Sequence, residues 1–342
     1  MAADRGGWRL EVIIVDNALS ERASAGNPVR IAMIGAGYMG VGMTRHITQN
    51  MPGLAVSVIA NRTVEHAVEA FRQAGIDHVE EVDDLDSLNR AVAAGRAVVT
   101  RDALLAVKAQ DVEAVMEATG EVEFGARVVT TAIEHRKHIV LVNAELDATV
   151  GPLLKTRADK AGVILTNADG DEPGVAMNLV RFVRSIGYRP VLAGNVKGFY
   201  DPHRNPDTQQ GFAEQHGQRP KMITSFADGT KLSMEGTVLA NATGFGVRKR
   251  GMTGERIGHV KDVLGIYDLD ELLQSPIVDF VLGAEPGSGA FVVGHNADPA
   301  MRAYMNYFKM GEGPFHVFYR PFHLTHLEAP LSVARAVLFL SL

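Results

Sequence analysis

The sequence predicts an α/β protein of two domains. Its 342 residues exceed what one hydrophobic core usually organises. Apolar runs typical of buried strands alternate with helical segments through the first half of the chain. A glycine-rich turn follows the first of these runs, and the second half contains a long polar stretch over residues 198–229. These observations favour an N-terminal doubly wound parallel sheet followed by a second, α+β domain.

Composition excludes several classes of protein. Hydrophobic residues make up 46% of the chain and charged residues 22%, as in ordinary globular proteins. The net charge is −6, and neither terminus carries a run of like charges, so we expect neither a nucleic-acid nor a membrane-surface partner. Cysteine is absent, which excludes disulfides, thiolate catalysis and Cys-based metal sites. With no apolar run as long as a membrane span and no signal-peptide pattern, we expect a cytoplasmic protein.

The same patterns divide the chain into four segments. Residues 1–27 lack a clear strand and form an N-terminal extension with a short helix around residues 18–25. Residues 28–166 form the parallel-sheet domain and residues 167–330 a substrate domain. Residues 331–342 form a C-terminal helix that is apolar on nearly all sides.

The glycine-rich turn predicts a dinucleotide site. The strand run 29–34 leads directly into Gly35-Ala36-Gly37-Tyr38-Met39-Gly40. In this pattern the first glycine permits the tight turn, the second lets a pyrophosphate approach, and the third lets the next helix pack on the strand. A glycine-rich turn without a ligand is the alternative. A second strand over 54–60 and a helix from Thr63, all within about 30 residues, favour a Rossmann domain.

The residues after the second strand predict NADP(H) rather than NAD(H). An NAD-binding domain usually places an acidic residue there to bind the ribose hydroxyls. This chain has Asn61, Arg62 and Thr63 instead. Arg62 can pair with the 2′-phosphate, and its neighbours can supply neutral hydrogen bonds. The alternative is a solvated surface arginine.

Two later strand ends offer residues for the nicotinamide half of the cofactor. Strands are predicted over residues 112–118 and 138–142, with helices near 123–136 and 147–161 and a last strand over 163–166. Ligands of doubly wound sheets lie outside the carboxyl ends of the strands. The candidates there are Thr119, Gly120, Asn143 and Glu145, with plain loops as the alternative.

Three carboxylates before an apolar helix suggest a substrate or metal site. Asp169, Asp171 and Glu172 lie within four residues. They could cap the helix and form its preceding turn, as such residues commonly do. They could also bind substrate hydroxyls or a divalent cation, Mg²⁺ or Mn²⁺, although the spacing matches no calcium loop.

Lys197 and Lys231 are the candidate catalytic cations, acting together with Asp171 and Glu172. Lys197 ends a predicted strand, and Lys231 begins a helical stretch. A lysine in the cleft could polarise a carbonyl, bind phosphate or donate a proton to an alkoxide. A surface position is the alternative for each.

The polar stretch between the two lysines is long for a connection and predicts a lid or substrate loop. His203, Arg204 and His216 lie in it without the spacing of a zinc site. Further strands are predicted over residues 291–295, 306–309 and 315–319, the last two joined as a hairpin.

With these residues identified, the chain from about Ser20 onward resembles the homoserine-dehydrogenase-like oxidoreductases. Within them it is similar to the 1-deoxy-D-xylulose 5-phosphate reductoisomerase-like proteins. The motifs that carry the resemblance are Asn143-Ala144-Glu145, Gly170-Asp171-Glu172-Pro173-Gly174, Asp228-Gly229-Thr230-Lys231 with Ala240-Asn241-Ala242-Thr243-Gly244, and Arg320-Pro321-Phe322-His323.

The resemblance implies a nicotinamide domain and a mixed-sheet domain for substrate binding and dimerisation, hence a homodimer. Many relatives add a C-terminal SAF-type domain, which we do not find in this chain. Homoserine dehydrogenases have an Asn-Lys pair where this chain has Asn143 and Ala144, so homoserine itself is disfavoured as the substrate.

The implied reaction rearranges a ketose phosphate to a branched aldehyde and reduces it with NADPH, which feeds isoprenoid biosynthesis. Lys197 and Lys231 would stabilise the oxyanion or bind phosphate, and the carboxylates would orient hydroxyls or hold a metal. Two alternatives stay open: a dehydrogenase of another small hydroxy acid or aldehyde, and a non-catalytic NADP-binding sensor.

Overall fold

A computed structural model describes residues 15–340. Residues 1–14 of the predicted N-terminal extension lie outside the described residues, as do residues 341 and 342 of the predicted C-terminal helix. The first described element is α1 (Val15–Ser24), which begins before the predicted start at residue 18. The Arg22 guanidinium pairs with the Glu113 carboxylate at 2.5 Å and fastens this helix to the loop before β5 (Ala114–Glu117).

The first sheet has seven strands within residues 15–340, in the order β3-β4-β2-β1-β5-β6-β7, and all neighbours are parallel. The run before the glycine turn is the central strand β1, which is almost entirely buried. This doubly wound sheet and the second, mixed sheet confirm the predicted fold class. The strands are β1 (Val29–Ile34), β2 (Leu54–Ala60), β3 (Val79–Glu81), β4 (Ala97–Thr100), β5, β6 (His138–Leu141) and β7 (Leu165–Asn167).

Helices cover both faces of this sheet. One face packs against α2 and α3 through side chains such as Met43, Ile47 and Phe71. The other face packs against α4 to α7 through side chains such as Leu88 and Val128. The helices are α2 (Tyr38–Asn50), α3 (Val64–Gln73), α4 (Leu85–Ala93), α5 (Ala103–Lys108), α6 (Val122–Glu134) and α7 (Ala144–Ala161).

The second sheet is mixed, with the order β12-β11-β8-β10-β9. Strands β8, β9 and β10 are parallel, and β11 runs antiparallel to both β8 and β12. Helices α8 and α11 cover one face, and a 3₁₀ helix (Val260–Gly265) with α12 covers the other. The elements are α8 (Glu172–Ser185), β8 (Arg189–Lys197), α11 (Thr230–Thr243), β9 (Glu255–Arg256), α12 (Leu269–Gln274), β10 (Ile277–Leu282), β11 (Gly289–His295) and β12 (Phe315–Arg320).

Two predictions for the second half need correction or detail. The predicted strand over residues 306–309 is wrong, because α13 (Pro299–Tyr307) occupies its first half and a turn its second. Asp298 caps that helix, Pro299 begins it, and Met305 is its buried residue, so β12 pairs with β11 instead. The polar stretch 198–229 is not an open loop, since it contains α9 (Pro206–Gln215) and α10 (Pro220–Ala227).

The last helix, α14 (Thr325–Phe339), returns to the first sheet. Ala329, Val333 and Ala334 are buried in the same core cluster as the side chains of α2. After the second sheet the chain thus returns as α14, which packs against α2, the helix that follows the glycine turn. Among the helices of residues 15–340, none has the length and apolarity needed to cross a membrane.

Candidate active site

The glycine turn has the geometry that a dinucleotide site requires. Gly35 has a φ of +103°, a backbone conformation that a side chain would strain. A Cβ atom on Gly37 would meet no protein atom within 4 Å, whereas one on Gly40 would collide with the carbonyl oxygen of Gly35. Helix α2 begins directly after Gly37, which supplies no side-chain cap, so its first N–H groups are free for an anion.

The residues predicted to choose the cofactor differ in their roles. The Asn61 side chain is committed to the protein, because its Oδ1 accepts from the backbone N–H of Ala36 at 3.0 Å and its Nδ2 donates to the carbonyl of Thr63 at 2.7 Å. Arg62 is exposed beside the turn. Arg101 follows β4 and donates to the carbonyl of Arg62 at 3.4 Å, which adds a second cation at this position.

Arg101 was missed in the sequence because β4 was not predicted. Strand β4 lies next to β2 in the sheet, and this pairing brings Arg101, the residue after β4, close to Arg62 at the end of β2.

A buried carboxyl group, Glu117, organises the ends of β5 and β6. Its Oε1 accepts from the backbone N–H of Thr119 at 3.0 Å, and its Oε2 accepts from the Asn143 amide at 2.7 Å. Asn143 also caps α7 by accepting from the N–H of Leu146 at 3.0 Å. Burial raises the pKa of Glu117. Thr119 and Asn143 are therefore held by Glu117, which sequence reasoning did not single out.

The two predicted lysines and two of the three predicted carboxylates lie in one cluster. The Lys197 ammonium bonds the Glu172 carboxylate and lies 3.5 Å from Oε2 of Glu235. Asp171, Glu172 and Glu235 each offer an oxygen within 4.8 Å of the others, and all three are buried. Lys231 is half-buried nearby, where its charge interacts with Asp171. We name these five residues, Asp171, Glu172, Lys197, Lys231 and Glu235, the lysine–carboxylate cluster.

Opposed charges and burial set the protonation of this cluster. Burial alone would raise the pKa of Glu172, but Lys197 and a hydrogen bond with Glu235 lower it to about 2. Burial, and after it the Glu172 charge, raises the pKa of Glu235 well above its ordinary value. Burial opposes the charge on Lys197, yet Glu235 and Glu172 raise its pKa. Lys197 thus favours the ionised form of Glu172, and burial disfavours the ionised form of Glu235 beside it.

Asp169 does not join the cluster. Its Oδ1 accepts from the Asn178 amide at 2.8 Å, and its Oδ2 pairs with the Arg335 guanidinium of α14. Its backbone N–H donates to Ser332 Oγ at 2.8 Å. Asp169 thus fastens α14 to the protein. The third carboxyl group of the cluster is Glu235, where the sequence had suggested Asp169.

The cluster fits a divalent cation poorly. Three carboxylates are a suitable donor set for Mg²⁺ or Mn²⁺. However, the Lys197 ammonium already contacts Glu172 and faces Glu235, which are two of the three candidate ligands. A metal ion bound there would stand directly beside a positive charge.

His323 is a second residue of this site that the sequence did not assign, although it ends one of the motifs of the resemblance. Its Nε2 lies 3.6 Å from Oε1 of Glu172. Its Nδ1 is buried and has no hydrogen-bond partner among residues 15–340. The segment is fixed by Arg320, which pairs with Glu328 through two hydrogen bonds of 2.6 and 3.0 Å. Only the turn from β12 into α14 brings His323 to Glu172.

The cluster lies beside the end of the first sheet where the cofactor is expected. The Lys231 charge interacts with Glu145, in the first turn of α7 after β6. Met222 of α10 comes within 3.8 Å of the position that a Cβ on Gly120 would take. His326, three residues after His323, stacks edge-on against Tyr38 of the glycine turn with ring centroids 6.2 Å apart. These contacts connect the glycine turn and the strand ends with the cluster and its neighbouring residues.

Two family models match the chain. The model of the catalytic domain of oxidoreductase DRL matches residues 170–329, and that of shikimate/quinate 5-dehydrogenase matches residues 19–124. The protein is an NAD(P)-dependent oxidoreductase. The match of the catalytic-domain model to the segment that holds the lysine–carboxylate cluster disfavours the alternative of a non-catalytic sensor. No curated protein sequence matches this oxidoreductase.

Several solved structures resemble the oxidoreductase in fold. A probable dehydrogenase from Thermotoga maritima has a TM-score of 0.43 at 13% identity, over 78% of this chain and 72% of that chain. Scyllo-inositol dehydrogenase from Lactobacillus casei, with NAD(H) and scyllo-inositol, has a TM-score of 0.42 at 12% identity, over 79% and 74%. Biliverdin reductase from Synechocystis, with biliverdin and NADP⁺, has a TM-score of 0.35 at 15% identity, over 53% and 49%. The match thus spans about half the length of that last chain.

Proposed function

We propose that this oxidoreductase uses NADPH to reduce the carbonyl group of a small phosphorylated sugar, in a reaction of the 1-deoxy-D-xylulose 5-phosphate reductoisomerase type. The observation that carries the proposal is the buried lysine–carboxylate cluster beside the strand ends that follow the glycine turn. Half-buried lysines beside three buried carboxyl groups suit a substrate with several hydroxyl groups and a negative charge, and they suit an apolar substrate poorly.

The two lysines take different parts in this proposal. Lys197 is engaged by Glu172 and Glu235, whereas Lys231 forms no salt bridge within 4.0 Å among residues 15–340. Lys231 therefore has donors free for the substrate, and it would stabilise the negative charge on the carbonyl oxygen when bound NADPH supplies the hydride. One such donor lowers the activation barrier by about 3–4 kcal/mol. Asp171 and Glu172 accept hydrogen bonds from substrate hydroxyls and hold the ketose for rearrangement.

The preference for NADPH is supported by charge at the end of β2. Arg62 is exposed there, Arg101 adjoins it, and no acidic residue occupies the position that usually binds the ribose hydroxyls. The Arg101 guanidinium also lies 3.7 Å from carboxylate oxygens of Glu65 and Glu81, so Arg62 is the main cation that would attract the extra phosphate of NADPH.

The experiment is a turnover assay with product analysis. Purified protein is incubated with NADPH and a panel of ketose phosphates, aldehydes and keto acids, and oxidation of the cofactor is followed by absorbance. The carbon skeleton of the product is then determined by NMR. A branched polyol phosphate from a linear ketose phosphate supports the reductoisomerase reaction. No turnover with any ketose phosphate would refute it.

A simple dehydrogenase of another small hydroxy acid or aldehyde is the second candidate. It is favoured by the same free ammonium of Lys231, because hydride transfer needs an oxyanion partner whether or not the skeleton rearranges. An unrearranged product in the assay above identifies this activity.

Other features of the proposal rest on the sequence. We propose a cytoplasmic homodimer that acts on a small molecule, with residues 28–166 binding the dinucleotide and residues 167–330 the substrate. The sequence suggests a Mg²⁺ or Mn²⁺ ion at the carboxylates. The Lys197 ammonium, which contacts Glu172 and faces Glu235, argues against such an ion.

A further inference from the structure

We infer that the Lys197 ammonium is the resident cation of the lysine–carboxylate cluster, standing where a divalent metal ion would have to bind. Lys197 ends the central strand β8, and its side chain extends between two carboxyl groups from two different helices, Glu172 of α8 and Glu235 of α11. The protein consequently holds no divalent cation at these carboxylates.

The geometry leaves a metal ion too few free ligands. Oε1 of Glu172 is bonded by the Lys197 ammonium. Oε2 of Glu235 lies 3.5 Å from the same ammonium and accepts from the Asn195 amide at 3.2 Å. Of the three carboxyl groups that approach one another within 4.8 Å, only Asp171 is not engaged by Lys197. One free carboxylate is a weak site for a hard dication, which prefers six or more oxygen ligands.

The charge of the cluster leads to the same conclusion. Two ammonium groups, those of Lys197 and Lys231, face three carboxyl groups, so most of the negative charge is neutralised within the protein. His323 adds a group that is neutral or positive, 3.6 Å from Glu172. A dication in the same space would be repelled by these ammonium groups, because little solvent is present to screen the repulsion.

This inference separates two ways of using one set of carboxylates. A metal ion would be exchangeable, and chelators would remove it. A lysine on a strand is permanent, and its three donors can bond carboxylates and substrate oxygens together. The inference concerns the resting protein and does not depend on which carbonyl compound is reduced.

The test compares Mn²⁺ binding by three proteins, using the EPR signal of free Mn²⁺ and no substrate. The proteins are the wild type, Lys197→Met and the matched control Lys231→Met, each with and without NADPH. Both variants remove one half-buried ammonium from the same cluster, but only Lys197 forms a salt bridge with the candidate ligands. We expect no Mn²⁺ bound to the wild type or to K231M, and Mn²⁺ bound to K197M at least about tenfold more tightly than to either.

Two results would overturn the inference. One is a Mn²⁺ ion bound stoichiometrically by the wild type, which needs no variant to be measured. The other is a folded K197M that binds Mn²⁺ no more tightly than K231M. If K197M fails to fold, Lys197→Gln replaces it, because the amide keeps a donor toward Glu172 while removing the charge. A failure of the reductoisomerase assay leaves these results unaffected, so the two proposals fail separately.

Discussion

A Cβ atom on Gly37 would point into open space, while a Cβ atom on Gly40 would strike the backbone of Gly35. The two glycines of one motif therefore serve different purposes. Gly40 is required for the protein to pack α2 on β1. Gly37 is required only when something else, such as a pyrophosphate, approaches the turn.

Gly37→Val is therefore expected to abolish NADPH binding without unfolding the protein. The φ and ψ of Gly37, −82° and −169°, are those of extended backbone that valine adopts readily. Its isopropyl group would occupy the space that the phosphates need. Fluorescence titration with NADPH measures the affinity, and circular dichroism checks the fold. Binding at wild-type affinity would mean that the phosphates lie elsewhere.

Arg62→Asp is expected to reverse the cofactor preference. The exposed guanidinium attracts a 2′-phosphate, and a carboxylate in its place repels the phosphate while accepting hydrogen bonds from the ribose hydroxyls of NADH. A shift of about tenfold or more in the ratio of NADPH to NADH dissociation constants corresponds to about 1.4 kcal/mol. Titration with both cofactors gives this ratio. Arg62→Lys is the control that keeps the charge, and an unchanged ratio in Arg62→Asp would remove Arg62 from the cofactor site.

At the scale of elements, strong local signals were easier to predict than weak ones. The buried runs of β1 and β2 were predicted with their observed bounds, because each is apolar except for one residue. Strand β3 was missed because it is a short edge strand without a buried residue, and β4 was missed although β5 and β6 are equally short. Helix α13 was mistaken for a strand because its aromatic end, including Tyr307 at 80% exposure, resembles a strand in composition.

Helix α7 carries a carboxyl group that the fold tolerates at a cost. Burial raises the pKa of Asp147, and with a smaller contribution from the nearby Asp171 charge the pKa reaches about 6. The Asn167 amide, which donates to Asp147 at 3.3 Å, offsets only part of this effect. Since the folded protein binds this proton more tightly than the unfolded chain, Asp147 lowers stability progressively as the pH rises from about 4 to about 6.

Asp147→Asn removes that cost, because the amide keeps a similar shape and stays neutral. We expect the free energy of unfolding of the variant to exceed that of the wild type by up to about 3 kcal/mol above about pH 6. The difference should vanish below about pH 4, where Asp147 is protonated in both states. Urea unfolding at a series of pH values measures it. A difference that does not change with pH would show that Asp147 does not titrate in this range.

At the scale of the whole molecule, the site depends on contacts between distant parts of the chain. Glu235 lies 63 or 64 positions beyond the other two carboxylates, and only the packing of α11 against α8 brings it to them. His323 reaches Glu172 through α14, which Arg335 and Ser332 fasten to Asp169. Sequence spacing favoured Asp169, Asp171 and Glu172 because they are neighbours in the chain. It could not distinguish a carboxylate that fastens a helix from one that joins the cluster.

We expect Lys231→Met to separate cofactor binding from chemistry. Lys231 comes from α11, whereas the glycine turn belongs to β1 and α2, so the variant should leave NADPH affinity within about twofold of the wild type. Turnover should fall by about 10²- to 10³-fold, because the ammonium acts on charge that develops only in the transition state. Steady-state kinetics with the substrate found in the panel and cofactor titration measure the two quantities.

Lys155→Met is the matched control for Lys231→Met. Lys155 is an exposed lysine of α7 that pairs with Asp159 one turn away, so its loss should change neither quantity. If Lys231→Met instead weakened NADPH binding and turnover to the same extent, Lys231 would act by holding the cofactor or the cluster together. If it changed neither, the oxyanion would have to be stabilised elsewhere, and His323, with its buried and unpartnered Nδ1 beside Glu172, would be the next group to replace.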